Sequence, residues 1–204
     1  PSAVYMEKTD KSFDNKSSAV IDTVLYEKPE EANPAHKSAA VKTLHSDSNS
    51  TEKKIFKITA VGDIMLGRGV GGRIVSTQGG NFRYPFEKVK DLLTWGDIIF
   101  GNLENPVSDR GQPSKGKGIN LRASTKSFEA IKYGGFNLIS LANNHIMDYD
   151  EQALFDTIDI LNKNNIAWAG AGKDITEARK PAIIEKNGVK TALLAYTDMW
   201  QVRY

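Results

Sequence analysis

Leu141-Ala142-Asn143-Asn144-His145-Ile146-Met147-Asp148 packs two amides, an imidazole and a carboxylate into eight residues. The cluster follows an apolar run over 136–141 and precedes a helix-forming segment that starts at Asp150. Polar groups gathered at the end of a buried strand are poor for packing and suited to ligand or metal chemistry. His145 is also the only histidine outside the first 53 residues; the other two are His36 and His45. Two further strand ends carry polar groups of the same kind: Gly62-Asp63-Ile64-Met65-Leu66-Gly67-Arg68 and Gly101-Asn102-Leu103-Glu104-Asn105. In open α/β sheets, ligands collect beyond the carboxyl ends of the strands. If these strands are parallel neighbours, their ends converge. Two carboxylates, several amide oxygens and an imidazole then suit a hard or borderline divalent cation such as Mg²⁺ or Mn²⁺. The same groups would also hydrogen-bond a polar ligand.

Each residue has a plainer reading. Asp63 caps a turn after Gly62, Glu104 pairs with Arg122, and Asn143 and Asn144 satisfy backbone groups in a tight turn. His145 is then a structural histidine, and Asp148 and Asp150 compete to cap the next helix. Arg68, Arg110, Lys115, Lys117 and Arg122 offer positive charge to an anionic substrate, or else belong to solvated loops. Gly67-Arg68-Gly69-Val70-Gly71-Gly72 and Ala169-Gly170-Ala171-Gly172 lack the spacing of a dinucleotide or phosphate loop and read as turns.

The elements that must position these groups follow from hydrophobic period. Strands are expected over 55–61, ended by Gly62-Asp63, and over 97–100, 138–141 and 166–168. Helices are expected over 85–93, 125–133 and 151–164. Asn187-Gly188 between two apolar runs predicts a hairpin over 181–196. Strand and helix alternate, which implies an α/β fold with a mainly parallel sheet and flanking helices.

Residues 1–53 differ in kind. They are polar, charged and free of glycine, and they read as a mostly disordered arm ahead of an α/β domain over 54–204. The 204 residues carry a net charge of +2 and no cysteine. Disulfides and cysteine chemistry are therefore excluded, and no basic stripe points to nucleic acid. No apolar run reaches membrane-spanning length.

Val61-Gly62-Asp63-Ile64-Met65-Leu66-Gly67, Phe100-Gly101-Asn102-Leu103-Glu104-Asn105-Pro106 and the Leu141–Asp148 cluster, in that order, resemble the bacterial capsule-synthesis protein family known as CapA or PgsA. The resemblance runs from about Lys57 to the end of the chain, and Ala169-Gly170-Ala171-Gly172 supports it. It implies a role in the synthesis, export or anchoring of an anionic polymer, poly-γ-glutamate, at the cell surface. The implied partners are that polymer or capsule-synthesis membrane proteins, with an extracytoplasmic location and a membrane anchor in the full-length protein. The family is similar to the calcineurin-like metallophosphoesterases, which implies a layered fold of that type. It makes Asp63, Asn102, Glu104 and Asn144 metal ligands and gives Asp63 and His145 catalytic roles, with Mn²⁺ or Mg²⁺ as the metal. Arg68, Asn143, Arg122 and Asp148 become substrate-binding residues.

The sequence departs from the wider superfamily at three points. Met65 stands where a metal-binding histidine is usual, Asn102 stands where a metal-bridging aspartate is usual, and no histidine follows His145. The chain is thus expected to be the N-terminal portion of a longer domain. Two functional readings follow: a metal-assisted hydrolase or transferase, and a non-catalytic polymer- or partner-binding module on a degenerate metallophosphoesterase fold.

Overall fold

The computed structural model describes residues 55–198. The expected arm over 1–53 lies outside the described residues. Four strands form a parallel sheet in the order β1-β2-β3-β4: β1 Ile58–Ile64, β2 Ile98–Leu103, β3 Leu138–Ser140 and β4 Ala167–Ala169. The helices are α1 Arg68–Thr77, α2 Lys90–Leu93, α3 Phe128–Gly134, α4 Asp150–Lys163 and α5 Ile175–Ala178. A hairpin of β5 Ala182–Lys186 and β6 Val189–Leu193 follows. This is the layered α/β class expected from the alternation, and it is consistent with a metallophosphoesterase-like fold.

Every crossover steps one strand in the same direction. Right-handed connections then place all the crossover helices on one face. The buried residues show this for α2, α3 and α4. Ile99 and Ile139 face α2, α3 and α4 through Leu93, Phe128, Ile131, Leu154, Ile158 and Leu161. Their chain neighbours Ile98 and Leu138 point the other way, as the period of two requires, and meet Ala182, Ile184 and Leu193 of the hairpin. Asn187 and Gly188 take φ of +53° and +79° at the turn, the paired left-handed geometry behind the hairpin expectation.

Four local expectations are corrected. β1 does not stop before Gly62-Asp63 but runs through them, with a register shift between Ala60 and Asp63 that sets Asp63 opposite Asn102. The glycine-rich stretch after Gly67 is not a turn but the start of α1. Glycine weakens a helix by about 1 kcal/mol per residue, yet Ile74 is fully buried on this one. A Cβ at Gly67 or Gly71 would also lie 2.6 Å from the Arg122 carbonyl or 2.9 Å from the Leu66 carbonyl, so close packing selects glycine there. The helix over 85–93 is broken into a 3₁₀ turn, Tyr84–Phe86, and the short α2. Phe86 stacks edge-on against Phe136 and Leu93 is buried, but Val89 and Leu92 are exposed, so no continuous apolar stripe supports a longer helix. The segment over 125–133 likewise opens as a 3₁₀ turn, Thr125–Ser127, before α3, and it closes at Gly135 with φ +78°. Among the described residues, no helix is long and apolar enough to cross a membrane.

Candidate functional site

Parallel register brings the three polar strand ends together. Asp63 lies opposite Asn102, and Asn102 opposite Ser140, which leads directly into the Leu141–Asp148 turn. Asn102 is the hub. Its Nδ2 donates to Asp63 Oδ1 at 2.8 Å and to Glu104 Oε2 at 2.7 Å. Its Oδ1 accepts from Asn143 Nδ2 at 3.0 Å.

Asn143 holds the turn from inside. It is buried and uses both ends of its amide. Nδ2 also donates to the Leu103 carbonyl at 2.8 Å, while Oδ1 accepts the backbone N–H groups of His145 at 3.0 Å and Ile146 at 2.9 Å. Those two N–H donors fix which end of Asn143 is oxygen. Asn143 in turn fixes Asn102, which must therefore show its nitrogen to the two carboxylates.

Behind His145 lies Asp148, 1% exposed. Its Oδ2 sits 2.7 Å from His145 Nδ1 and accepts the Leu121 N–H at 2.6 Å. Its Oδ1 accepts from Lys117 Nζ, which also donates to the Asn144 carbonyl and lies 3.3 Å from His145 Nδ1. A carboxylate that close to Nδ1 places the ring proton there and turns Nε2 outward. Nε2 stands 3.9 Å from Glu104 Oε1. Burial raises the Glu104 pKa above its ordinary value and the Asp63 charge adds to this, while the Asn102 hydrogen bond and the positive field of His145 and Lys117 oppose it.

The rim therefore unites Asp63, Asn102, Glu104, Asn143, His145 and Asp148, with different roles from some of those expected. Asp148 and Asn143 are not placed to touch a substrate, because both are buried and their polar atoms are taken by the protein. Asn102 is not oriented as a metal ligand. The Asn144 side chain has no partner among the described residues, so its amide is free to bind. Arg68 and Arg122 lie outside the rim and line an adjacent depression with Leu66, Gly67 and Phe82. Arg122 does not pair with Glu104; it covers the Tyr149 ring at 4.1 Å and donates to the Arg110 carbonyl. Asp150, not Asp148, serves the helix start, accepting the Gln152 N–H at 2.9 Å and the Gln112 N–H at 2.8 Å.

Sequence reasoning gave no specific role to two residues that the site uses. Lys117 was legible only as one cation of a loop, because its partner Asp148 is 31 positions away. Asn105, fully buried, accepts the Leu66 N–H at 2.8 Å and anchors the chain leaving β1. Its place beside Glu104 at a strand end was the available signal.

The donor chemistry sets a limit on any metal. Among the described residues, no three Asp, Glu or His side chains stand together as a ready cation cage. Asp63 and Glu104 nonetheless share one bridging donor and each keeps an oxygen not bound by Asn102. Those two oxygens are of the donor type that a hard divalent cation takes. Asn102 presents its amide nitrogen, not its oxygen, between the two carboxylates.

Comparison with known proteins bears on what this site serves. A family model described as bacterial capsule synthesis protein PGA_cap matches residues 57–203. The capsule biosynthesis protein CapA of Bacillus anthracis is 35% identical over 150 residues, covering 72% of this chain and 36% of that protein. The PGA biosynthesis protein CapA of Bacillus subtilis (strain 168) is 33% identical over 147 residues, covering 71% and 38%. A probable polyglutamine synthesis accessory protein of Mycobacterium tuberculosis is 31% identical over 127 residues, covering 61% and 33%. The chain thus spans little more than a third of the length of the curated relatives it matches.

Proposed function

The chain belongs to the bacterial capsule synthesis protein family, and from that premise we propose that it works at the cell envelope in the synthesis, export or anchoring of an anionic polymer of the poly-γ-glutamate type. The observation that carries this reading is the rim itself. Asp63 and Glu104 share the Asn102 amide, His145 Nε2 stands 3.9 Å from Glu104 Oε1, and buried Asn143 and Asp148 brace them. A wall so firmly fixed to present carboxylates cannot receive a polyanion by direct contact. It needs a cation between, and Asp63, Glu104 and Asn144 would hold one. A divalent ion there supplies charge neutralisation and Lewis-acid activation of a bound water. His145, kept with its proton on Nδ1 by Asp148, offers Nε2 to accept or return a proton at the scissile group. Arg68 and Arg122 in the adjacent depression give a further run of positive charge for the polymer. Capsule-synthesis membrane proteins are the proposed protein partners, with the full-length protein anchored at the membrane.

Fluorescence anisotropy with labelled poly-γ-glutamate at low salt tests the reading. Mn²⁺-dependent binding that is lost in Asp63→Ala and Glu104→Gln supports it. Absence of binding with and without metal overturns it. The Asn102 bridge also favours a second reading, a binding module without turnover, because it sets an amide nitrogen rather than a metal ligand between the two carboxylates. Polymer chain length after incubation with Mn²⁺ separates the two. Shortening or transfer supports catalysis, and unchanged length supports the binding module.

A further inference from the structure

We propose that Asn187 is a deamidation site, and that its conversion to a carboxylate loosens the β5–β6 hairpin from the sheet. Asn187-Gly188 is the single Asn-Gly pair of the chain. It sits against Asp97, just ahead of β2, and so at the end of the parallel strands opposite the rim. Both residues are exposed, with φ of +53° and +79°. The register pairs Lys186 with Val189, which leaves Gly188 outside the ladder and its N–H unclaimed by the strands. Nothing stands within 4 Å of where a Cβ on Gly188 would lie, so its nitrogen is open to approach. In water the Gly188 nitrogen gives its proton to hydroxide and attacks Asn187 Cγ. The N–Cγ bond forms as the Cγ–Nδ2 bond breaks, and Nδ2 takes a proton from water and leaves as ammonia. Water then opens the cyclic imide at either carbonyl, leaving an aspartyl or isoaspartyl residue.

The partner of the lost nitrogen gives the reaction its consequence. Asn187 Nδ2 donates to Asp97 Oδ1 at 2.7 Å. Asp97 also accepts the Lys57 N–H on Oδ2 at 2.9 Å and the Asn137 amide on its carbonyl at 3.0 Å. It therefore knots together the entry to β1, the loop before β3 and the hairpin turn. After deamidation a carboxylate faces a carboxylate across that contact: the donor is gone and like charges repel. An isoaspartyl product also lengthens the backbone of a two-residue turn whose twist matches its strands. Ala182, Ile184 and Leu193 of the hairpin cover Ile98 and Leu138, so a loosened hairpin thins the cover of that face of the sheet.

Incubation of the 204-residue chain in mildly alkaline buffer, followed by Glu-C digestion and mass spectrometry, reads the conversion. Asn187 is expected to convert ahead of every other asparagine. A folded chain that keeps its Asn187 amide while the excised peptide over 185–192 loses its own would overturn the site. Thermal melting reads the consequence. Asn187→Asp is expected to melt below wild type. Adding Asp97→Asn is expected to restore the melt, because the amide and the carboxylate then exchange places across the same contact and the Lys57 N–H keeps an oxygen acceptor. Unchanged melting of Asn187→Asp, or a lowered melt that Asp97→Asn does not recover, rejects the link between the modification and the hairpin.

Discussion

Replacing Asn143 with alanine should unfasten the turn that carries His145. The side chain makes four hydrogen bonds, and two of its partners, the Leu103 carbonyl and the Ile146 N–H, are fully enclosed. Each buried group left without a partner costs about 1–3 kcal/mol. The His145 N–H is only partly enclosed and recovers a water, and a water entering the vacated space offsets some of the rest. The net loss should then be about 3 kcal/mol, which at a urea slope of about 2 kcal/mol per molar moves the unfolding midpoint down by about 1.5 M. Urea titration followed by circular dichroism reads the midpoint, and hydrogen exchange at the Ile146 amide reads the turn directly. Exchange there should accelerate more than in α4. A loss below about 1 kcal/mol, with the Ile146 amide still protected, would refute the reasoning that Asn143 is the internal brace of the site.

Other perturbations have equally definite outcomes. Lys117→Met removes the partner of a carboxylate that is 1% exposed, so it should destabilise the chain by about 3–5 kcal/mol, read by the same urea titration, whereas Lys115→Met on the same loop should be nearly silent. Glu104 binds its proton more tightly in the folded chain than in the unfolded one, because burial and Asp63 raise its pKa above 4.5. Folding therefore takes up protons above that pH, and this residue's contribution falls as pH rises through the folded-state value. Glu104→Gln, which keeps an acceptor for Asn102, should accordingly gain stability over wild type as pH climbs from about 4.5 toward neutrality in chelator, with the difference vanishing below. Melts at a series of pH values check the sign, and a difference that grows toward acid would show it to be wrong.

The location of the site was legible in the sequence because its signal is local. An apolar strand that ends in Asn143-Asn144-His145 is conspicuous, and so is Asp63 after a run that alternates and then turns apolar. The alternation of strands and helices was enough for a mainly parallel α/β sheet, though not for its strand order. What escaped was set by pairings across sequence distance. Asp148 looked like a solvent-facing ligand because its counter-ion, Lys117, arrives on a glycine-rich loop. Asn102 looked like a metal ligand because nothing in its own neighbourhood reveals that Asn143 claims its oxygen. Helix α1 was hidden by its glycines, whose selection by close approach to Leu66 and Arg122 is a tertiary effect. Arg122 seemed a partner for Glu104 on charge alone, yet Tyr149 offered it a ring face.

The central proposal is that the three strand ends form one rim that binds a divalent cation. Titrating Mn²⁺ into the ¹⁵N-labelled chain and recording amide line broadening tests it most directly, since paramagnetic relaxation marks distance from the ion. Broadening should begin at the amides of Asp63, Glu104, Asn144 and His145 and spread outward from them, and it should be lost in the double variant Asp63→Ala, Glu104→Gln. Broadening centred elsewhere, or none at these four amides, would contradict it.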